Sequence, residues 1–291
     1  MQIQKSYENH EEGVLYIVPT PIGNLEDITF RALRTLKEVD IIAAEDTRQT
    51  QKLLNHFEIS TPTMSYHEHN KGSAGHKIVG FLEAHKQVAL VSDAGMPVIS
   101  DPGFEMITEA NRIGRVIVLP GANAALCALI GSGLPAEQFY FYGFLPRKKK
   151  ELKAVLDDLK YIKATLVFYE SPHRIKETVK GLESSLGSER RMVLARELTK
   201  RYEEYIRGTS QEVLQWLGSE EAQIRGEFCV VVEGSNEDRL EEEKWWDGLS
   251  ITEHVNAYIQ NQDMTNKDAI KQTAKDRGMQ KREVYQIFHQ S

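Results

Sequence analysis

The chain has 291 residues, of which 41% are hydrophobic and 27% charged, which is typical of a globular protein of about two domains. The formal net charge of −7 excludes the overall basic field of many nucleic-acid-binding proteins, so a polyanionic partner would have to contact local basic patches. The longest apolar run, near residues 124–130, is much shorter than the ~20 residues that span a bilayer, and the polar N-terminal segment lacks a signal-peptide core, so we expect a cytoplasmic protein with no membrane segment.

The first half of the chain contains four near-continuous apolar runs, at residues 14–18, 40–44, 87–91 and 116–119. Segments of helix length separate these runs, and ITFRALRTLK has the apolar spacing of an amphipathic helix, with Asp27 or Thr29 as its N-cap. Continuous apolar runs are typical of parallel strands that are buried on both faces. The pattern therefore predicts a parallel-sheet α/β domain over residues 13–135.

The second half has more closely spaced strands, which we predict at residues 139–144, 165–169, 192–195, 204–207 and 227–232. The segment around residues 134–147 contains prolines and begins a basic run, which indicates a junction between domains. The last three strands are close enough along the chain to pair antiparallel, so we predict a mixed-sheet α/β domain over residues 139–234. We expect a cleft between the two α/β domains.

The C-terminal part differs in composition. Residues 236–247 carry six acidic and two basic side chains, which predicts a solvated linker or helix. Beyond it we predict a helical, helix-turn-helix-like extension over residues 248–291, with short helices at residues 251–260, 266–277 and 281–289. Thr265 is the predicted N-cap of the middle helix, and Gly278 ends it. The basic residues of this extension fit a nucleic-acid contact as well as a helical cap or dimerisation piece.

Glycine and proline residues cluster where three of the parallel strands end, in PTPIGN, SDAGMP and LPGAN. Ligands of open α/β sheets bind outside the carboxyl ends of the strands, so these segments predict a binding site. The first of them lacks both the G-x-G-x-x-G and the P-loop patterns. The ligand is therefore not expected to be a dinucleotide or a nucleoside triphosphate held by its phosphates.

Two other polar segments allow more than one interpretation. In AAEDTRQT, Thr47 is a plausible N-cap, and the charges of Asp46 and Arg48 either form a local pair or lie at the mouth of a cleft. In SYHEHN, two histidines have no third ligand at a recognisable spacing, so we predict no metal site. The two cysteines lie in apolar contexts, and we expect both Cys127 and Cys229 to be small buried side chains.

Cationic side chains follow several strands of the second half. If they converge on one cleft, they could contact a phosphate backbone, which contributes affinity without sequence readout. Together with one arginine of the first half, the candidate RNA-binding residues are Arg48, Arg147, Lys148, Lys149, His173, Arg174 and Arg201.

The ordered motifs VPTPIGNLEDIT, AAEDTRQT, VSDAGMPVISDPG, VLPGANAALCALIGSGLP, FYGFLPRK, FYESPHRI and RELTKRYEE resemble those of the tetrapyrrole-methylase-like (class III) S-adenosylmethionine methyltransferases. The resemblance covers about residues 13–234. It implies a homodimer with S-adenosylmethionine in the cleft, which methylates the 2′-hydroxyl of a cytidine ribose in the decoding region of 16S rRNA. PTPIGN replaces the glycine-rich first loop of most tetrapyrrole methylases, which favours the RNA-modifying branch over a porphyrinoid substrate.

Carried over by motif, the resemblance implies a set of cofactor-binding residues, namely Pro21, Ile22, Gly23, Asp93, Gly95, Met96, Pro97, Ile99, Asn123, Ala124, Tyr169 and Phe228. Asp93 would be the polar anchor for the cofactor. We assign Asp101 to the fold instead, as the cap of the next helix with Pro102 in its first turn.

Methyl transfer to a ribose hydroxyl mainly needs alignment, and a nearby base would help because the hydroxyl is a weak nucleophile. The candidate bases are Glu45, Asp46, Glu170, His173, Glu197 and Lys200. Among these we name Glu170, Glu197 and Lys200 as the catalytic candidates, and we expect Glu170 or Glu197 to lie nearest to the reaction.

Two alternatives stay open. An enzyme of the same fold could act on a small molecule or a protein side chain, although the basic junction RKKK and the basic C-terminal extension favour RNA. A non-enzymatic nucleic-acid-binding protein could act through the extension, but this function would not explain the glycine- and proline-rich segments at the ends of three strands.

Overall fold

In the computed structural model, residues 3–6, 12–237, 245–262 and 264–290 are described. The chain divides into two compact units, Met1–Glu237 and Asp238–Ser291. The strands of the first unit are β1 Val14–Ile17, β2 Ile41–Ala44, β3 Thr63–Ser65, β4 Gln87–Val91, β5 Arg115–Val118, β6 Phe139–Phe144, β7 Thr165–Glu170, β8 Arg191–Arg196, β9 Glu204–Thr209 and β10 Phe228–Val232. Its helices are α1 Phe30–Glu38, α2 Thr47–His56, α3 Lys71–Glu83, α4 Phe104–Ile113, α5 Ala124–Ser132, α6 Lys149–Leu159, α7 Ile175–Leu186 and α8 Ser210–Gly218, with a 3-10 helix at Leu25–Asp27.

The first sheet is parallel throughout and has the strand order β3-β2-β4-β1-β5. The four apolar runs of the first half form β1, β2, β4 and β5, so their prediction as parallel strands is confirmed. Separate buried clusters cover the two faces, with Leu36 and Leu54 in one and Ile78 and Met106 in the other. Strand β3 was not predicted, because it has three residues, all half-buried, and lacks an apolar run.

The second sheet is mixed, with the order β6-β7-β10-β8-β9. Strand β6 pairs parallel with β7, and β10 and β9 pair antiparallel with their neighbours, which confirms the predicted antiparallel strands. Helices α6, α7 and α8 contribute to the core on one face. Helix α5 covers the other face, where Ala128 and Leu129 pack with Val167 and Val193.

The α/β fold with one parallel and one mixed sheet is thus confirmed, with a cleft between the sheets. The division at residues 135–139 stays a prediction, because the contacts group Met1–Glu237 into a single unit and α5 packs on the second sheet. Among the helices of the described residues, none is long and apolar enough to cross a membrane.

The observed N-caps agree with the sequence prediction for one of three helices in the first unit. Thr29 caps α1 by accepting a hydrogen bond from Ala32 N, as predicted. The N-cap of α2 is Asp46 and not Thr47, because the Asp46 carboxylate accepts a hydrogen bond from Arg48 N at 2.8 Å. The prediction that Asp101 caps the next helix is also wrong: α4 begins at Phe104 after Gly103, which has a φ of 143°.

The second unit contains three helices within its described residues, namely α9 Ile251–Gln262, α10 Asn266–Asp276 and α11 Lys281–Gln290, close to the predicted positions. Thr265 caps α10, and Gly278 adopts a φ of 63° just after it, as predicted. Val255, Ile270 and Val284 contribute one buried residue from each helix to a shared core. Most of the predicted acidic linker, residues 238–244, lies outside the described residues.

Candidate functional site

A cavity of about 410 Å³ lies where the carboxyl ends of the parallel strands meet one edge of the second sheet. Strands β1, β2, β4 and β5 each contribute to it through the loop that follows them, as open α/β sheets do. From the second sheet come the ends of β6, β7 and β8 and the start of β10. The predicted cofactor-binding residues that line the cavity are Ile22, Asp93, Gly95, Met96, Ile99, Asn123, Ala124, Tyr169 and Phe228.

The loops after β1 and β4 are held together by backbone hydrogen bonds. Thr20 and Gly95 exchange two of them, each with 3.0 Å between nitrogen and oxygen. The Thr20 hydroxyl also donates to the carbonyl of Ser92 at 3.2 Å. Gly95 has a φ of 79°, and a Cβ there would lie 3.1 Å from Ile22 Cγ2. The position therefore favours glycine for both its dihedral angle and its close contact.

The three remaining predicted cofactor residues do not line the cavity. Pro97 is buried in the loop behind it, and Pro21 is half-buried. Gly23 instead contacts the segment after β8: a Cβ on it would lie 2.4 Å from Lys200 Cγ and 3.0 Å from the Leu198 carbonyl oxygen. The neighbouring Asn24 N donates to Thr199 Oγ1 at 3.1 Å. Gly23 thus joins the two sheets at the cavity rim.

Three carboxylates from different loops face the cavity, those of Glu45, Asp93 and Asp101. Burial raises the pKa of Glu45, and the negative charges of Asp101 and Asp93 raise it further. Burial also raises the pKa of Asp101. The negative charge of Asp93 raises it further, whereas a hydrogen bond with Ser92 lowers it. We call these three residues the acidic cluster. Its mutual repulsion would be relieved by a bound cation.

The wider lining has the same electrostatic character. Glu170 and Glu227 add two more carboxylates, whereas no lysine, arginine or histidine is present among the described residues that line the cavity. The remaining lining is largely apolar or small. A ligand that is positively charged and has both polar and apolar parts fits such a site.

Glu170 is the catalytic candidate that lines the cavity, but both of its carboxylate oxygens accept hydrogen bonds. Oε1 accepts from the backbone of Ser171 at 2.8 Å, and Oε2 accepts from the hydroxyl of Thr178 at 2.6 Å. Arg174 lies 3.7 Å from the same Oε2, and the residue is only 3% exposed. These contacts attach the end of β7 to α7.

Glu197 and Lys200 lie beside the cavity rather than in its lining. Lys200 Nζ donates to Glu197 Oε1 and to Glu227 Oε2, each at 2.9 Å. Burial tends to lower the pKa of Lys200, but these hydrogen bonds raise it overall. Burial tends to raise the pKa of Glu197, but hydrogen bonds from the Glu227 backbone and from Lys200 lower it overall. Lys200 is therefore held as a cation and Glu197 as its carboxylate partner.

An aromatic wall closes the side of the cavity formed by β6 and β7. The Tyr169 hydroxyl accepts a hydrogen bond from Ala125 N at 3.3 Å, and burial raises the pKa of Tyr169 to about 12. The Tyr169 ring meets the rings of Phe141 and Phe144 at 5.0 and 5.8 Å between centroids. Phe144 is at the rim and was not predicted as a site residue.

The predicted RNA-binding residues lie outside the cavity lining and divide into two groups. Arg147, Lys149, His173 and Arg201 have exposed side chains. Arg48 and Lys148 are exposed too, but each forms an ion pair, with Asp46 and Glu151 respectively. Arg174 is half-buried and donates to the carbonyls of Leu145 and Pro146. Arg174 thus holds the basic junction against α7.

The cysteines differ from each other. Cys229 is buried in the second sheet, and burial raises its pKa to about 12. The residue therefore stays a neutral thiol, which is the unreactive form. Cys127 is exposed, so the prediction that both thiols are buried is wrong for this residue. It lies on the side of α5 that also exposes Leu126 and Ile130. Within the described part of the chain, no group of three or more His, Cys, Asp or Glu side chains could hold a metal ion.

The sequence has a family match over most of the first unit: residues 14–214 match the description Tetrapyrrole (Corrin/Porphyrin) Methylases. The chain belongs to the tetrapyrrole methylase family. A relative in this family, ribosomal RNA small subunit methyltransferase I of Bacillus subtilis (strain 168), is 58% identical over 279 residues, which cover 95% of this chain and 94% of the relative. A protein of the same name from Halalkalibacterium halodurans is 55% identical over the full length of both chains. These matches confirm the resemblance predicted from the motifs.

Solved structures of tetrapyrrole methylases have the same fold. A cobalt precorrin-4 methyltransferase superposes with a TM-score of 0.57 at 17% identity, over 76% of this chain and 94% of that one. Uroporphyrin-III C-methyl transferase of Thermus thermophilus, complexed with S-adenyl homocysteine, gives a TM-score of 0.53 at 20% identity, over 75% and 97% of the two chains.

As a member of the tetrapyrrole methylase family, the chain is an S-adenosylmethionine-dependent methyltransferase. The cavity fits this cofactor, which is a sulfonium cation with an adenosine and an amino-acid arm and no phosphate. The acidic cluster suits the positive charge, and the lining residues that the structure describes include no cation for a phosphate. The role of each lining residue stays a prediction.

Proposed function

We propose that this enzyme transfers a methyl group to the 2′-hydroxyl of a cytidine ribose in the decoding region of 16S rRNA, within the small ribosomal subunit. The observation that carries the substrate is the similarity, over nearly full length, to relatives named ribosomal RNA small subunit methyltransferase I at 55% and 58% identity. The structural neighbours with tetrapyrrole substrates share only the fold, at 17% and 20% identity.

The cofactor would occupy the cavity with its sulfonium near the acidic cluster. When bound, S-adenosylmethionine supplies an electrophilic methyl group. Glu45, Asp93 and Asp101 would stabilise the positive charge of the bound cofactor, and Tyr169 would form part of an apolar wall. Asn123 fixes the start of α5 at the cavity by accepting from Leu126 N at 3.0 Å. These residues would orient the cofactor so that alignment, the main requirement of an in-line transfer, is achieved on binding.

The geometry favours Glu45 as the group that accepts the ribose proton. Glu170 is only 3% exposed and each of its oxygens already accepts a hydrogen bond, and Lys200 is held as a cation, so both are less suited than Glu45 to accept a proton. Glu45 was one of the six candidate bases, it faces the cavity, and its raised pKa brings it closer to the pH at which a base works best. Glu170 would then position α7, and Glu197 with Lys200 would fix the cavity rim.

The RNA would contact the rim through exposed cations. Arg147 and Lys149 at the junction, His173 before α7 and Arg201 after β8 are exposed near the ends of strands β6, β7 and β8, which border the cavity. Phosphate contacts from such side chains release counterions, so binding should weaken steeply with salt.

We also propose that the enzyme is a homodimer that acts in the cytoplasm, where its ribosomal substrate is found. Strand β5 is at an edge of its sheet, and Val118 in it is 56% exposed. Leu126 and Ile130, one turn apart on α5, are 46% and 77% exposed. These side chains would lie in the interface between the two subunits. Sedimentation equilibrium of the full chain gives the oligomeric state directly.

The substrate is tested with tritiated S-adenosylmethionine and small ribosomal subunits that lack the modification. Label should appear in 16S rRNA, and the apparent affinity should fall as salt is raised. Transfer to a tetrapyrrole or to a ribosomal protein in the same assay, with none to RNA, would favour a small-molecule or protein substrate instead. Calorimetry with the cofactor alone separates both from a protein that only binds nucleic acid, because that protein would show no cofactor binding.

A further inference from the structure

We infer that Phe144 is the platform on which the base of the target nucleotide stacks while its ribose enters the cavity. This inference rests on the proposed RNA substrate and assigns a residue to its recognition. Phe144 lies at the end of β6, lines the cavity at its rim and is nevertheless 55% exposed.

A β-bulge directs the Phe144 ring towards the cavity. The pairing of β6 with β7 shifts between Phe141 and Gly143, so that Phe141 pairs with Val167 and Phe144 with Tyr169. Alternate residues of a strand face the same side, and the extra residue therefore places Phe141 and Phe144 on the face that carries the Tyr169 ring. Without the bulge, residues 141 and 144 would face opposite sides of the sheet.

The backbone beside Phe144 is built to hold this position. Gly143 has a φ of 80°, which favours glycine, and a Cβ there would lie 3.1 Å from Ser100 Oγ of the loop after β4. Ser100 itself lines the cavity and has a φ of 69°, an uncommon value for a residue with a side chain. The two walls of the cavity thus meet next to Phe144.

The Phe144 ring contacts one aromatic neighbour, and more than half of the residue is exposed. Its supporting contact is with Tyr169, at 5.8 Å and an interplanar angle of 62°. A large apolar side chain that remains exposed at the mouth of a polar site suggests a ligand that covers it. The exposed Arg147 follows three residues later, so an aromatic surface and a cation are adjacent at the rim.

This combination matches the chemistry of a single unpaired nucleotide. A ribose hydroxyl inside a cavity can be reached only if the nucleotide is single-stranded or turned out of its helix. The base then loses its stacking neighbours, and an aromatic side chain can replace them whatever the base. The phosphate would lie towards Arg147, and the ribose would point inward to the acidic cluster.

The test compares Phe144→Ala and Phe144→Tyr with Tyr140→Ala, a matched control on the same strand that is 44% exposed and does not line the cavity. Steady-state methylation of small subunits is measured together with calorimetry of S-adenosylmethionine. We expect Phe144→Ala to raise KM for subunits about 5- to 150-fold, the range for loss of one base–aromatic stack. Its affinity for the cofactor should stay within about twofold, and Phe144→Tyr and Tyr140→Ala should resemble the wild type.

An unchanged KM for Phe144→Ala would overturn the inference, and so would a loss of cofactor affinity, which would make the ring a cofactor contact. If the alanine variant does not fold, Phe144→Leu keeps the bulk without the ring and should show the same rise in KM relative to Phe144→Tyr. Failure of the proposed substrate looks different, because the wild-type enzyme itself would then transfer no label to the subunits.

Discussion

Asp93 and Asp46 are joined by a hydrogen bond in which the backbone N–H of Asp46 donates to Oδ1 of Asp93, with 3.0 Å between the two atoms. The bond connects the loop after β4 to the start of α2, immediately after Glu45. One carboxylate thus positions the neighbouring acidic residue while its second oxygen remains available to a ligand. Hydrogen bonding between adjacent loops therefore holds part of the acidic cluster in place.

The acidic cluster should distinguish the charged cofactor from its neutral product. We expect Asp93→Asn and Asp101→Asn each to weaken binding of S-adenosylmethionine about tenfold, or about 1.4 kcal/mol, because each removes a negative charge near the sulfonium. S-adenosylhomocysteine has no sulfonium charge and should lose less affinity. Calorimetry of both ligands checks this, with Glu109→Gln on α4 as a charge-matched control, because the Glu109 side chain is 46% exposed and does not line the cavity. Equal losses of affinity for both ligands would show that the acidic cluster does not distinguish the sulfonium cation from the uncharged thioether.

Glu45→Gln should slow methyl transfer more than it weakens cofactor binding. If Glu45 accepts the ribose proton, its loss should lower kcat about 10²- to 10⁴-fold, the usual contribution of a general base. Glu197→Gln serves as the comparison, because its carboxylate is engaged by Lys200 and should have a smaller effect on kcat. Single-turnover rates at saturating cofactor and subunits separate chemistry from binding. A Glu45→Gln enzyme with wild-type single-turnover rate would exclude this role.

Gly23→Ala should destabilise the first unit by roughly 1–3 kcal/mol, the cost of overpacking a close contact. The added Cβ would lie 2.4 Å from Lys200 Cγ, whose ammonium group is held by Glu197 and Glu227, and 3.0 Å from the Leu198 carbonyl oxygen. Relief of this contact would therefore require a backbone shift or the loss of those hydrogen bonds. The control is Gly80→Ala in α3, where nothing lies within 4 Å of the new atom. That change should stabilise the protein by about 0.5–1 kcal/mol through helix propensity. Chemical denaturation measures both; a neutral Gly23→Ala would mean that the rim is not closely packed.

The second unit should lose stability in mild acid because of His254. This side chain is fully buried, stacks on Trp246 at 4.9 Å, and accepts a hydrogen bond at Nδ1 from Arg277 at 3.0 Å. Burial lowers its pKa, the charge of Arg277 lowers it further, and the charge of Asp276 opposes them. Tyr258 also stacks on His254, with 5.2 Å between ring centroids, and its hydroxyl donates to Asp276. Neutral His254 is therefore the form that the folded state favours.

The sign follows from the lowered pKa. Above the unfolded value of about 6.5, the histidine is neutral in both states and stability does not depend on it. As pH falls below about 6.5 towards the folded pKa, the unfolded state takes up the proton first and the free energy of unfolding decreases. Thermal melts followed by tryptophan fluorescence should show this decrease, and His254→Gln should remove it. Equal acid sensitivity of both proteins would assign the effect to other groups.

Much of this architecture could be predicted from the sequence because buried strands need apolar runs. The runs of β1, β4 and β10 are nearly identical to the observed strands. Strand β3 lacks such a run, and no periodicity could reveal it. Likewise, the exposure of Cys127 depends on which side of α5 packs against the second sheet.

The site was predictable to the level of loops but not of individual side chains. Both aspartates of VSDAGMPVISDPG line the cavity. The loop between them has positive φ values at Gly95, Val98 and Ser100, and the next helix begins only at Phe104. Such backbone turns at non-glycine residues are not encoded in residue types. The position of Phe144 depends on a bulge, for which Gly143 was the available signal.

The central claim is methylation of a ribose oxygen in 16S rRNA, and the most direct test is the alkali stability of the labelled product. After transfer from tritiated S-adenosylmethionine to unmodified small subunits, the purified 16S rRNA is hydrolysed in alkali. A 2′-O-methyl group blocks attack on the adjacent phosphate, so we expect the label in an alkali-stable dinucleotide whose first residue is cytidine. Label in a mononucleotide with a methylated base would contradict the claim.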